Sequence, residues 1–348
     1  MQELNPKEIF KKVLHHKKVE KVPVCSATQT GILELMELSG AFWPEANYNA
    51  EKMASLALAG HELAGFENVR VPFCCTVLAE TLGCTVAKGA VDMQPYVIDF
   101  PYKEKKDLRQ LKLPENLLES PRTTPVLNAV ELLQEKVGEE IPVLAGVVGP
   151  AGLSLMLAGI RNYLMWFMTS PESVETLLES CTEACIEYAN ALLARGADAI
   201  VLIDSEAGPD ILAPEMLKTS ILPKYQKICK KIEGPKILHM CGDASAVLSP
   251  LSKVGFEGIS IEEKVSVRAA REIVGNRVAL IGNVSPSDTL LTKGPVLIKK
   301  EAKACLADGI DILAPGCGLA PMTPLKNVKA LVEARDEYYI EPTPQKQT

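Results

Sequence analysis

His239 and Cys241 stand two residues apart in Lys236-Ile-Leu-His-Met-Cys-Gly242, and Cys317 lies far downstream in Leu313-Ala-Pro-Gly-Cys-Gly318. Side chains on a strand alternate with period two, so a His-x-Cys pair on a strand presents both groups to one face. A third soft ligand at the end of a later strand completes a nitrogen/sulfur set. Three protein ligands leave one position open, which is the arrangement of catalytic rather than structural zinc. The plainer reading of an isolated His-x-Cys is a hydrogen-bonded core histidine beside cysteines that pack as small hydrophobes. Which reading holds depends on the elements that carry these residues.

Short apolar strands alternate with amphipathic helical stretches along most of the chain. The pattern predicts strands near Val22–Thr28, Asn68–Phe73, Ile141–Val148, Ala199–Asp204, Lys236–Met240, Gly258–Glu262, Arg277–Gly282 and Ile310–Ala314, with helices between them such as Ser170–Ala194 and Ala213–Ile232. Such alternation implies a parallel sheet with right-handed crossovers. Eight units favour a closed α/β barrel over an open doubly wound sheet, and no GxGxxG follows the first strand. The chain therefore reads as one (β/α)8 TIM barrel over residues 1–340, with an N-terminal helical extension and an insertion at about 83–140. The polar stretch 341–348 reads as a loose tail. In such barrels chemistry sits at the carboxyl ends of the strands. His239 and Cys241 end one strand and Cys317 lies just past another. Asp204 and Glu206, Glu262 and Glu263, and Asn283 end three more. This convergence on one rim makes the zinc reading the stronger one.

The bulk composition narrows the classes. The chain has 348 residues, 47% of them hydrophobic, and a net charge of −7. A nucleic-acid-binding surface is not expected from that balance. Ten cysteines without a CxxC pair or an apolar leader point to reduced thiols in a cytoplasmic protein. Ile141–Ile160 is uncharged over the length of a membrane span, but its two prolines and four glycines break it into a strand, a turn and a helix start. No membrane segment is expected.

Three stretches carry a family likeness: Leu202-Ile-Asp-Ser-Glu-Ala-Gly208, Ala279-Leu-Ile-Gly-Asn-Val-Ser-Pro286 and Gly316-Cys-Gly-Leu-Ala-Pro-Met-Thr-Pro-Leu-Lys-Asn-Val328. Through them the chain resembles the uroporphyrinogen decarboxylase superfamily over nearly its whole length, whose members fold as (β/α)8 barrels. It departs from the true decarboxylases in two places. The arginine-rich segment after their first strand is replaced by Val22-Pro-Val-Cys-Ser-Ala-Thr-Gln-Thr-Gly31. Their catalytic aspartate after the second strand is replaced by Val71-Pro-Phe-Cys-Cys-Thr76. The His-x-Cys…Cys set instead resembles the zinc-dependent methylcobamide:coenzyme M methyltransferases of methanogens, in which a methyl group passes from a corrinoid protein to the thiol of 2-mercaptoethanesulfonate. The resemblance implies Zn²⁺ as cofactor and His239, Cys241 and Cys317 as its ligands. It also implies coenzyme M and a methylated corrinoid protein as partners, because no corrinoid-binding Asp-x-His-x-x-Gly segment is present. The alternative within the superfamily is a decarboxylase that works without metal.

The donor set suits thiol chemistry. A free alkyl thiol ionises near roughly pH 8.5 and only its thiolate is nucleophilic. Zinc takes the thiolate form. One neutral imidazole and two thiolates already cancel the zinc charge, so a further thiolate keeps its electron density and can accept a methyl group from methyl-Co(III), with Co(I) leaving and no acid required. Glu263, a candidate catalytic group, or Glu262 could fill the open zinc position before thiol arrives. A surface ion pair with Lys264 or Arg268 is the competing expectation for either. Asp204 and Glu206 are candidates for orienting His239 or for shaping the floor of the cavity, with plain hydrogen bonding to loops as the competing expectation for either, and Asn283 is a candidate cofactor-binding residue. The sulfonate requires donors, and backbone N–H groups at the helix start in Val148–Leu153 are candidates.

Overall fold

A computed structural model describes residues 4–340, so the expected tail 341–348 lies outside the described residues. The described residues form nine strands: β1 Val69–Val71, β2 Thr85–Ala87, β3 Tyr96–Asp99, β4 Val143–Val148, β5 Ala199–Ile203, β6 Lys236–Met240, β7 Gly258–Ile261, β8 Ala279–Val284 and β9 Ile312–Pro315. Seven form a parallel sheet in the order β1-β4-β5-β6-β7-β8-β9, and β2 and β3 form a separate antiparallel hairpin. Strands buried on both faces read as continuous apolar runs, and all six residues of β4 (Val143-Leu-Ala-Gly-Val-Val148) are buried.

The sheet is curled, and its two edges meet across the segment Pro23–Ser26. Leu313 N–H donates to the Pro23 carbonyl (3.0 Å) and Cys25 N–H to the Leu313 carbonyl (3.1 Å). On the other side Glu67 N–H donates to the Val24 carbonyl (2.8 Å). The strand expected at Val22–Thr28 is thus reduced to one parallel bridge, Val24 to Leu313. The reason is local. Proline offers no N–H to a ladder. Side chains then replace backbone partners: Asn68 Oδ1 accepts from Ser26 N–H (2.8 Å) and Glu67 Oε2 from Val24 N–H (2.7 Å).

Alternation along the strands sorts the side chains into two layers. Leu144, Ala199, Val201, Ile237, Ala279, Ile281, Ile312 and Ala314 meet in the interior. Their sequence neighbours, such as Val143, Ile200, Leu238 and Leu280, pack outward under the helices. The helix Pro6–Leu14, started by an Asn5–Glu8 capping box, sends Phe10, Val13 and Leu14 into that same interior cluster. Its Lys7 reaches Asp198 just before β5 (2.9 Å). It therefore closes the end of the sheet where the strands begin, opposite the end that carries the chemistry.

The irregular region between β1 and β4 holds the β2–β3 hairpin and short 3-10 turns. It ends in the regular helix Thr123–Val137, which packs against both β1 and β4 as their crossover. The long helix expected at Ser170–Ala194 runs Pro171–Ala194, with proline in its first turn. The one expected at Ala213–Ile232 is split by a π-helical turn at Leu217–Ile221. No helix of the described residues is long and apolar enough to cross a membrane.

Candidate metal centre and its cavity

Strand β6 places the histidine. Leu238 and Met240 belong to the outer layer and Ile237 to the interior, so His239 turns inward and is 1% exposed. The chain then turns at Gly242, whose φ of +77° favours glycine and whose added Cβ would meet Asp210 Oδ2 at 2.2 Å. Cys241, at that turn, brings its Sγ to 3.2 Å from His239 Nε2. The loop after β9 brings Cys317 Sγ to 3.2 Å from Cys241 Sγ. The three ligand atoms lie within 4.8 Å of one another, and among the described residues no other histidine, cysteine or carboxylate group forms such a cluster. Tetrahedral zinc with bonds of roughly 2.0–2.3 Å has ligand-to-ligand edges of about 3.5–3.8 Å. The observed separations fit that demand after an outward relaxation of a few tenths of an ångström, and the soft donor set suits zinc. Their approach drives the two thiols apart in acidity. Hydrogen bonding to Cys317, aided by burial, raises the Cys241 pKa, while the same contact lowers that of Cys317.

The far nitrogen of the ring is held by Ser260. Its Oγ lies 3.0 Å from His239 Nδ1 and the two residues are cross-strand partners in β6 and β7. A hydroxyl accepting from Nδ1–H leaves the Nε2 lone pair free for a metal. Glu262 steadies the adjoining turn, since its Oε2 accepts from Gly242 N–H at 2.7 Å.

The cluster opens into a cavity of about 190 Å³, walled by Phe73, Val148, Met156 and Ile203 with Thr28, Gln29 and Glu206 among its polar lining. Glu206 lines this cavity. Burial raises its carboxyl pKa, and the nearby His239 works against that rise. Asp204 has a different post. Its oxygens accept from Gly152 N–H (2.7 Å), Ala151 N–H (3.2 Å) and Tyr225 Oη–H (2.8 Å), so it caps the helix Pro150–Ala158. Burial pushes its pKa up to about 7 against the pull of those donors. That capping overturns the expectation that the helix start at Val148–Leu153 offers free donors for a sulfonate. The Ala151 and Gly152 N–H groups are taken by Asp204, that of Leu153 by the Gly149 carbonyl, and that of Gly149 by the Ile203 carbonyl.

Glu263 and Asn283 do not line this cavity. Glu263 Oε1 accepts from Ser285 Oγ–H at 2.9 Å, and its Oε2 is buried without a partner. It pairs with neither Lys264, which reaches Asp210 and Glu262, nor Arg268, which pairs with Asp308. Asn283 donates to the carbonyls of Glu262 (3.1 Å) and Val265 (2.7 Å) and accepts from Cys305 Sγ–H (3.3 Å), so it pins the loop after β7. Two residues of the site were missed in the sequence. Ser260 is signalled by a polar side chain at an inward position of the strand next to His239. Arg70 is signalled by a charge in the otherwise apolar run Val69-Arg-Val71. It lines the cavity and is 2% exposed.

The family model described as uroporphyrinogen decarboxylase (URO-D) matches residues 5–338. Methylcobamide:CoM methyltransferase MtaA of Methanosarcina barkeri is 46% identical over 341 residues, 97% of this chain and 100% of that one. Methylcobamide:CoM methyltransferase MtbA of Methanosarcina acetivorans is 37% identical over 344 residues, covering 97% and 99%. A solved methyltransferase from Methanosarcina mazei superposes with a TM-score of 0.94 at 45% identity, covering 97% of this chain and 100% of that one. The chain belongs to the uroporphyrinogen decarboxylase (URO-D) family and, within it, to the branch of the methylcobamide:CoM methyltransferases.

Proposed function

We propose that this methyltransferase transfers a methyl group from a methylated corrinoid protein to the thiol of coenzyme M, at a zinc ion held by His239, Cys241 and Cys317. The observation that carries the reading is the cluster of one imidazole nitrogen and two sulfurs, which opens on one side into a small, mostly apolar cavity. Zinc bound there would hold a substrate thiol as its thiolate near neutral pH. The chain's own residues do the rest. Ser260 fixes the ring so that Nε2 faces the metal position. Glu262 holds the Cys241–Gly242 turn. Phe73, Val148, Met156 and Ile203 keep water from competing for the nucleophile and raise the strength of local electrostatic contacts. Asp204 and Tyr225 anchor the helix that forms one wall.

Cavity size argues for a small thiol. About 190 Å³ falls below the roughly 300–1,000 Å³ of sites for larger ligands. A tetrapyrrole does not fit inside, so a corrinoid would approach across the cavity mouth. We also read the curled sheet with its edge segment at Val24 as a closed barrel of eight staves, the first reduced to the Pro23–Ser26 segment. The deciding experiment combines zinc analysis of the purified chain with thiol methylation from methylcobalamin or a methylated corrinoid protein. One zinc per chain and methylated coenzyme M are expected. A chain that binds no zinc, or that methylates no thiol when loaded, sinks the reading.

A further inference from the structure

Resting on that reading of the site, we infer that Arg70 is the group that recognises the sulfonate of coenzyme M and so sets the enzyme's preference for an anionic two-carbon thiol. Strand β1 turns Val69 and Val71 outward and Arg70 inward. The guanidinium then lies across Gly146 of the neighbouring β4, where an added Cβ would come within 2.1 Å of Nη2. Only a residue without a side chain leaves that path to the cavity open.

Arg70 has no carboxylate ion-pair partner among the described residues. Nη1 donates to the Pro72 carbonyl, and Nε has no partner. The neighbours that influence it electrostatically are Cys75, Cys74, Cys317 and Tyr188, and burial alone pulls its pKa down. Cys75 offers no counter-charge, because burial pushes its thiol up to about 12. A guanidinium cannot lose its proton in a protein and is costly to bury unpaired. Such a group in a cavity wall is a built receptor for an anion, and its planar fork suits the oxygens of a sulfonate. Arg70 and the three proposed zinc ligands face the same 190 Å³ space, so one short molecule spans them, with its thiol at the metal position and its sulfonate at Arg70. The helix start that would otherwise serve an anion is already occupied by Asp204.

The test uses the zinc-loaded full chain and methylcobalamin as donor. It compares kcat/KM for coenzyme M with that for 2-mercaptoethanol, which carries a hydroxyl in place of the sulfonate. In Arg70→Met the preference for coenzyme M should fall by roughly 10²- to 10³-fold, the range for removing one partner of a buried charge pair. In Gly146→Ala, which displaces the guanidinium while keeping it, the preference should also fall. Calorimetry supplies a readout apart from turnover: ethanesulfonate, which has no thiol, should compete with coenzyme M for the wild-type chain and not for Arg70→Met. A preference that stays within about threefold of wild type in Arg70→Met, whether both substrates keep their rates or lose them together, overturns the assignment, as does undiminished competition by ethanesulfonate. If Arg70→Met does not fold, Arg70→Lys and Gly146→Ala decide by the same ratio. A wild-type chain that methylates neither thiol would instead remove the proposed function.

Discussion

At the scale of single residues the site divides into groups that would hold the metal and groups that hold those groups. His239→Ala and Cys241→Ala each remove one of three donors, and both should strip most of the zinc and the activity with it. Ser260→Ala leaves all three donors but frees the imidazole to rotate. Loss of such a supporting partner costs roughly 10- to 100-fold in metal affinity, so its zinc dissociation constant should rise by about that factor. Competition with a chromogenic chelator ranks the variants. Cys181→Ala, in the helix Pro171–Ala194, is the control and should keep its metal. Full zinc occupancy in Cys241→Ala would refute the ligand assignment. Asp204 makes a separate prediction about pH. Burial holds its folded pKa near 7, above the ordinary 3.8, so protonation favours the fold. Its contribution is therefore complete below about 3.8 and is lost as the pH rises through about 7. Urea denaturation across that window should show wild-type stability declining with pH from this source. Asp204→Asn should flatten that slope, at an overall cost of about 1–3 kcal/mol for mismatched donors.

At the scale of elements, the two ends of the sheet carry separate duties. The helix Pro6–Leu14 seals the end where strands begin, with Phe10 1% exposed among inward-facing side chains of the strands. Phe10→Ala should lower unfolding free energy by about 3–5 kcal/mol, the usual cost of emptying a buried aromatic site. Zinc content and thiol affinity should stay at wild-type levels, because the metal cluster lies at the opposite end. Loss of metal in a folded Phe10→Ala chain would show that the two ends are coupled. The β2–β3 hairpin has the other duty. Gln94, in its connecting loop, lines the cavity, so the hairpin reaches the mouth.

For the whole molecule, the proposed reaction needs a second protein to present its corrinoid at that mouth. The hairpin that carries Gln94 exposes Met93 (51%), Tyr96 (49%) and Ile98 (59%), an apolar outlay that folding leaves uncovered. Tyr96→Glu and Ile98→Glu should slow methyl transfer from the corrinoid protein by about tenfold or more. Transfer from free methylcobalamin, which makes no such contact, should change little. Equal slowing with both donors would place the docking face elsewhere.

Much of this was legible along the chain, and the reason is periodicity. The two-residue spacing keeps Cys241, in the turn that follows β6, beside His239, and alternating strand and helix signals imply that strand ends gather, which carries Cys317 to them. Other features required the folded molecule. Whether Val22–Thr28 forms a regular strand depended on Glu67 and Asn68 arriving to take over its backbone partners. Whether a carboxylate at a strand end serves the cavity or a helix cap depended on which donors stand opposite. Asp204 and Glu206 are two residues apart, yet one meets backbone N–H groups and the other meets the cavity. Arg70 shows the limit most clearly. Its charge is visible in the sequence, but only tertiary packing shows that no carboxylate among the described residues pairs with it and that a glycine on the next strand leaves it a path to the cavity. Local pattern sets the direction in which each side chain points, because backbone geometry repeats; what it meets there is settled by strands brought together from distant parts of the chain.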